Sequence, residues 1–437
     1  MATYYAGLDW GERHHDLAVV DDGGQLVRHV RVTDDVDGLA EVLAVLSSVH
    51  RARRGIAIGI ETGRGLMVAG LRRAGQRVVV LNPTQVARYR SRLTPGRKSD
   101  RGDAKLLAHI LRVDGDAHRP LPASSVEVVA LRELTRAHRS AQRNALYLTA
   151  RLRSALRDYY PAAVTAWAHL PGGIGRAEAR LVLAAAPTPA RAARLTCRRL
   201  ETLLTAAGRT RLIAAEAQRL HDHFRTRVLR QPAQVEEAMG QHVLALLAQL
   251  DAMLASAEGL WTRVGALAEA HAHTRIYRSF PGMGPLLAAR LLAELGDDPH
   301  RFASARNLRA LCAATPITWA SGTSRRVSHR RNANPILAAT GHLWAFAALT
   351  RSPGARALYD RRRAAGDRHA AALRRLYARL LGCLHHCLRH GIVYDEQRAW
   401  PEREHRPAAG EVDAGTTPDT CFRAASPRAG TGTPTSA

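Results

Sequence analysis

Short apolar runs separated by polar turns fill the first eighty residues, and longer helical periods replace them afterwards. Tyr4-Tyr5-Ala6-Gly7-Leu8 predicts a strand over 3–9, closed by Asp9-Trp10. A second strand is predicted over 14–20. Asp21-Asp22-Gly23-Gly24 is a turn to a third, over 25–32. Leu39, Val42, Leu43 and Leu46 share one face of a helix predicted from Asp37 to about His50. A fourth strand, 55–60, ends at Glu61; a short helix follows and stops near Gly75. The fifth strand covers 77–81. A basic stretch from Arg88 to Lys98 then leads into a helix that starts at Asp100-Arg101-Gly102-Asp103.

Beyond this point the pattern is helical. Residues 125–160 form a long basic helix. Residues 161–232 are rich in Ala and Arg and helical, without a readable motif. Val243, Leu247, Leu250, Leu254, Ala257, Trp261 and Val264 alternate spacings of four and three, a short heptad seam. Such a seam suits an antiparallel hairpin, a dimer contact or a buried amphipathic helix. Residues 276–400 form a further compact region. After Pro401 the chain is rich in Pro, Gly, Thr, Ser and Ala, which predicts a disordered tail over 401–437.

Composition narrows the class. The chain has 437 residues, 46% of them hydrophobic, enough for a sizeable core in several domains. Lys and Arg total 64 against 38 Asp and Glu, a formal net charge of +26 that points to nucleic acid. The five cysteines are scattered and form no disulfide framework. No signal peptide is read at the N-terminus, and apolar runs are broken before membrane-spanning length, so a cytoplasmic, nucleoid-associated protein is expected.

Against that charge, four acids stand out. Asp9 and Glu61 close strands; Asp100 and Asp103 begin a helix three residues apart. Three hairpin-linked strands followed by α, β, α, β, α match the order of a ribonuclease H-like domain, in which these positions converge at one edge. Converging carboxylates bind hard divalent cations, and two Mg²⁺ ions suit phosphodiester chemistry, with Mn²⁺ able to substitute. The only two lysines, Lys98 and Lys105, flank the Asp100/Asp103 pair. Arg132, Arg136, Arg139 and Arg143 recur on one side of the long helix, as a phosphate-facing stripe or as a solvated face.

Two motifs lie near the C-terminus. Phe280-Pro281-Gly282-Met283-Gly284-Pro285 has the form of a helix-hairpin-helix turn, with Gly282 and Gly284 exposing backbone N–H groups to phosphate, or of a plain interhelical turn. From Trp319 to Asn334, serines sit among Arg325, Arg326, Arg330 and Arg331 in a Gly-containing loop. A serine there is a candidate nucleophile; a basic binding loop with incidental serines is the alternative. Cys383, His386, Cys387 and His390 share a helical face, which suits zinc or, equally simply, a core.

Gly7-Leu8-Asp9, Ile60-Glu61, Lys98-Ser99-Asp100-Arg101-Gly102-Asp103-Ala104, Pro281-Gly282-Met283-Gly284 and Ala320-Ser321-Gly322 occur in this order. Together they resemble the DEDD transposases of the insertion sequence 110 family, over about residues 1–160 and 240–395. The resemblance implies a RuvC-type ribonuclease H-like catalytic domain over 1–118 and a helical, coiled-coil-like region over 119–275. A C-terminal transposase domain would occupy 276–400. It implies a recombinase that excises and inserts its own element, guided by a noncoding bridge RNA that pairs with target and donor DNA. Asp9, Glu61, Asp100 and Asp103 would hold Mg²⁺ and Ser321 would be the nucleophile, with Ser324 its rival. Homodimers would assemble into a tetramer on DNA. Two other readings remain: a metal-dependent nuclease or junction resolvase using water, and a non-catalytic RNA- or DNA-binding protein.

Overall fold

The computed structural model describes residues 3–50, 55–93, 99–118, 120–330 and 333–401. Residues up to Tyr394 form one compact unit; a second unit begins at Asp395 and contributes the short helix Glu396–Ala399. The expected tail lies almost wholly outside the described residues.

Five strands, β1 (Tyr4–Trp10), β2 (His14–Asp21), β3 (Leu26–Thr33), β4 (Ala57–Ile60) and β5 (Arg77–Val80), form one mixed sheet in the order β3-β2-β1-β4-β5. The first three pair antiparallel, as their short turns dictate; β4 joins β1 and β5 joins β4 in parallel. Each parallel step uses a helix as the crossover: α1 (Val36–Val49) before β4 and α2 (Leu66–Arg73) before β5. Val42 and Leu46 of α1, with Met67, Val68 and Leu71 of α2, cover one sheet face. A further helix, α3 (Pro83–Leu93), takes in the first half of the basic stretch ahead of α4. The other face is covered by α4 (Asp100–Asp114), through Leu106, Leu107, Ile110 and Leu111. It lies so close to β1 that a Cβ at Gly7 would collide with the Ala104 carbonyl. That close approach brings the start of α4 beside the end of β1.

The long basic segment is one helix, α5 (Val126–Tyr159). Five shorter helices follow: α6 (Pro161–Ala166), α7 (Ala177–Ala185), α8 (Pro189–Ala193), α9 (Cys197–Ala206) and α10 (Ile213–His223). The chain then returns along α5 as α11 (Ala233–Ala270). Of the heptad seam, Val243, Leu247, Leu250, Ala257 and Val264 are buried, and Val243, Leu247 and Leu250 share a core with Leu148, Leu152 and Leu156 of α5. The seam is therefore satisfied within one chain. By length and composition alone α11 could also cross a membrane, contrary to the expectation that every apolar run is interrupted too early.

The C-terminal part of this unit contains α12 (Thr274–Arg278), α13 (Pro285–Leu295), α14 (Ala305–Leu311), the hairpin β6 (Pro316–Ser321) and β7 (Ser324–His329), α15 (Pro335–Ala348), α16 (Pro353–Ala364) and α17 (His369–His390). Its core centres on Trp344, flanked by Phe280 and Tyr377 at ring separations of 5.4 and 6.0 Å. Gly282 has φ +72°, and a Cβ there would strike the backbone at Ala347 and Ala348 of α15. The turn's first glycine thus serves interhelical packing.

A buried acid ties this region to α5. Glu294 of α13 accepts both Arg136 hydrogen bonds, at 2.7 and 2.9 Å, and one from Asn334, the cap of α15, at 2.7 Å. Burial pushes its carboxyl up. The Arg136 and Asn334 hydrogen bonds and the nearby guanidinium charges outweigh burial and hold it below the ordinary value of 4.5. Because the folded value is depressed, the pair's stabilisation is present above about pH 4.5 and fades as pH falls through the lower folded value. Glu294→Ala, which leaves the half-buried Arg136 without its partner, is expected to cost about 2–3 kcal/mol in chemical unfolding at pH 7, less than a fully buried pair because Arg136 keeps some access to water. The gap from wild type should narrow in acid.

Candidate active site

Asp9 stands at the exposed end of β1 and Glu61 just beyond β4, the neighbouring parallel strand. Asp100 and Asp103 occupy the first turn of α4, where Ser99 caps the helix by accepting from the Gly102 N–H. Acids in that turn also suit the helix dipole. The four positions expected to converge do interact. Burial raises the Asp9 carboxyl to about 6, and the charges of Asp103, Glu61, Asp100 and Asp16 push it the same way. A carboxyl raised by four like charges marks a crowded acidic centre.

Two guanidinium groups lie within it. Arg90 of α3 donates to Asp103 at 2.8 Å and reaches Glu61 at 3.9 Å. Arg31 of β3 joins Asp16 and Asp100, at 2.9 and 2.6 Å. Asp16 stands opposite Asp9 in the hairpin register, is buried, and also meets His29 at 2.8 Å. Asp16, Arg31 and Arg90 were not singled out from the sequence. The hairpin register could have found Asp16, since residues 9 and 16 are equidistant from the turn.

In kind, the donor set fits a divalent cation: hard carboxylate oxygens that repel one another. Among the described residues no three acids, histidines or cysteines stand at metal-ligand spacing, for Asp103 and Asp100 are turned onto arginines. The zinc reading of Cys383, His386, Cys387 and His390 gains no cluster either; Cys387 is buried in the helical core.

The proposed nucleophile lies elsewhere in the fold. The Gly-containing loop is a two-stranded hairpin, with Ser321 and Ser324 directly opposed across a Gly322-Thr323 turn, Gly322 at φ +54°. Both hydroxyls are exposed at the tip. Among the described residues no hydrogen bond or ion pair links Ser321 to the four acids. The two-residue turn Gly322-Thr323, flanked by Ser321 and Ser324, was the overlooked hairpin signal.

The expected basic contacts separate into groups. Arg132 donates to the Ala293 carbonyl at 2.7 Å and Arg136 is bound to Glu294, so these two join helices instead of facing solvent. The stripe of four free arginines is corrected accordingly. Arg139 and Arg143 do line an open cleft. Lys105 is exposed on α4, one turn beyond Asp100. Gly282 is packed on α15, while Gly284 caps α13 and a Cβ added there would meet nothing within 4 Å. Arg330 is half-buried. Lys98 and Arg331 lie outside the described residues, as do the side chains of Arg325 and Arg326.

Two families match separate parts of this chain. Residues 6–161 match a family of DEDD transposases of the IS110 type, and residues 274–360 match a second, the transposase IS116/IS110/IS902 family. A Streptomyces coelicolor protein described as a mini-circle transposase for IS117 is 48% identical over 400 residues, covering 91% of this chain and 97% of the relative. The insertion element IS900 42 kDa protein of Mycobacterium paratuberculosis is 28% identical over 89% of this chain and 96% of its own. The insertion element IS116 44.8 kDa protein of Streptomyces clavuligerus is 28% identical over 88% and 94%. DEDD domains generally imply divalent metal use and transposases imply DNA binding. With both family matches in the order of its two site regions, this chain belongs to the IS110 family of DEDD transposases and is a DNA transposase.

Proposed function

We propose that the protein excises and inserts its own insertion sequence, using the acids around Asp9 and a serine at the tip of the β6–β7 hairpin. The carrying observation is the gathering of these acids at one strand end: Arg90 reaches both Glu61 and Asp103, Arg31 reaches both Asp16 and Asp100, and Asp16 stands opposite Asp9, in a strongly basic chain. The sheet order supports a RuvC-type ribonuclease H-like domain, assigned to 1–118. Residues 119–275 would act as the helical spacer and 276–400 as the transposase domain.

Asp9, Glu61, Asp100 and Asp103 would hold Mg²⁺, with two ions or Mn²⁺ in its place; a bound divalent ion supplies charge neutralisation at the phosphate and activation of an oxygen nucleophile. The chain's own groups do the rest. Arg90 and Arg31 neutralise the acids and fix their orientation. A serine hydroxyl is a weak nucleophile unless a base or metal assists it. Ser321 must therefore be delivered to the acidic centre, by movement within the chain or by a second protomer. A dimer, and then a tetramer on DNA, as the family resemblance implies, would supply that second protomer. The bridge RNA rests on family membership and on the charge of +26. A cytoplasmic, nucleoid-associated location follows from the same DNA partner.

The test is excision from a plasmid carrying the element and its flanking noncoding DNA. Junction products should form with Mg²⁺ or Mn²⁺, vanish with chelator, and require transcription of the flanking region. Excision in the presence of chelator would refute the carboxylate reading.

A further inference from the structure

A cleft of about 800 Å³ opens between the turn after β4, helix α5 and the start of α15. Arg64 contributes from the turn that follows Glu61; Arg139, Arg143, Asn144 and Tyr147 contribute from α5; Ile336 contributes from the first turn of α15. Arg136 lies in its wall but is neutralised by Glu294, and Glu133 adds one acid. Among the described residues Arg64, Arg139 and Arg143 are in no ion pair. Like charges gathered without a counter-ion repel one another, and a polyanion relieves that cost. The first turn of α15 adds the positive end of a 14-residue helix.

Spacing identifies the polyanion. Arg139, Arg143, Tyr147 and Arg151 recur every fourth residue of α5, about 6 Å apart along its axis. That step is close to one nucleotide of an extended strand, so successive phosphates can meet successive turns of the helix. Tyr147 is 63% exposed, and the Arg151 guanidinium lies 5.9 Å from its ring centroid. An exposed aromatic ring steadied by a cation and set among arginines is a platform for base stacking.

We infer that this cleft binds a single strand of DNA, with Arg64, Arg139 and Arg143 on its phosphates and one base stacked on Tyr147. Duplex DNA has no unstacked base to place there, so the cleft favours an opened strand. The direction of that strand, toward Glu61, rests on the proposed role of the acids; the binding itself does not.

The test measures anisotropy of a labelled DNA oligonucleotide with full-length protein across a salt series, alongside duplex DNA and RNA of the same sequence. Arg139→Ala/Arg143→Ala should weaken the DNA single strand about tenfold and flatten the log–log salt slope by roughly 1.4, two phosphates at about 0.7 each. Tyr147→Ala should weaken it by about tenfold, within the range for one stacked base, while Tyr147→Phe keeps wild-type affinity. These residues are exposed or half-buried, and unchanged melting confirms folded variants. Unaltered single-strand affinity in both variants overturns the inference, as does a loss confined to RNA. Cleavage by Asp9→Asn protein together with lost strand binding in the cleft variants would refute the acidic centre and leave the cleft intact.

Discussion

Asp9→Asn protein is expected to bind DNA with nearly wild-type affinity and to cut none of it. Asn keeps the shape of Asp but removes the charge at the point where Glu61, Asp100, Asp103 and Asp16 all act. The loss should be on the order of a thousandfold or more in strand cleavage, about 4 kcal/mol at the transition state. Asp103→Asn should do the same. Without metal, the substitution has the opposite effect on stability. Asp9 is raised from 3.8 to about 6 in the fold, so its ionisation above that pH disfavours the folded state. The metal-free Asp9→Asn protein should therefore be more stable than wild type at pH 7–8, by roughly 1–2 kcal/mol after allowance for solvent screening. Below about pH 4 the two should converge. Lost cleavage with gained stability separates a functional acid from a structural one; a destabilised Asp9→Asn protein would assign Asp9 to the scaffold.

Ser321→Ala carries the second large effect. It should abolish strand cleavage while leaving folding unchanged, because Ser321 is exposed at the end of β6 and its hydroxyl makes no hydrogen bond among the described residues. Ser324 is the internal control. It stands across the turn from Ser321, so either hydroxyl leads when the hairpin tip meets a phosphate. Full activity in Ser324→Ala, with none in Ser321→Ala, fixes the assignment. The reverse moves it by one cross-strand pair without changing the chemistry. If composite centres form between protomers, Asp103→Asn and Ser321→Ala proteins, each inactive, should regain partial activity when mixed.

The five-stranded sheet was legible in the sequence because most of its strands are short apolar runs bounded by Gly, Asp or Asn, and each of the four acids closes such a run or opens a helix. Other features depend on neighbours remote in sequence. The spacing of Arg132 and Arg136 is that of any exposed helical stripe; only Ala293 and Glu294, some 160 residues later, make them internal ties. The β6–β7 hairpin was hidden by its polarity, since little of it is buried and no alternating apolar face marks it. Asp16 lies inside the second strand, where spacing gives it no distinguishing signal. Its pairing with Asp9 and its contact with Arg31 follow from strand register, which period alone does not specify. The heptad seam gave the right apolar positions but left the partner open, and the partner is α5 of the same chain.

Trapping of the reaction on a nicked suicide DNA substrate tests the central claim most directly, that the acids and Ser321 act as one centre. With Mg²⁺, wild-type protein should yield a protein–DNA adduct that survives denaturant and maps to Ser321. No adduct should form with chelator, with Asp9→Asn, or with Ser321→Ala. Strand cleavage by wild-type protein without any adduct, retained in Ser321→Ala, would contradict the account and identify a nuclease that uses water instead.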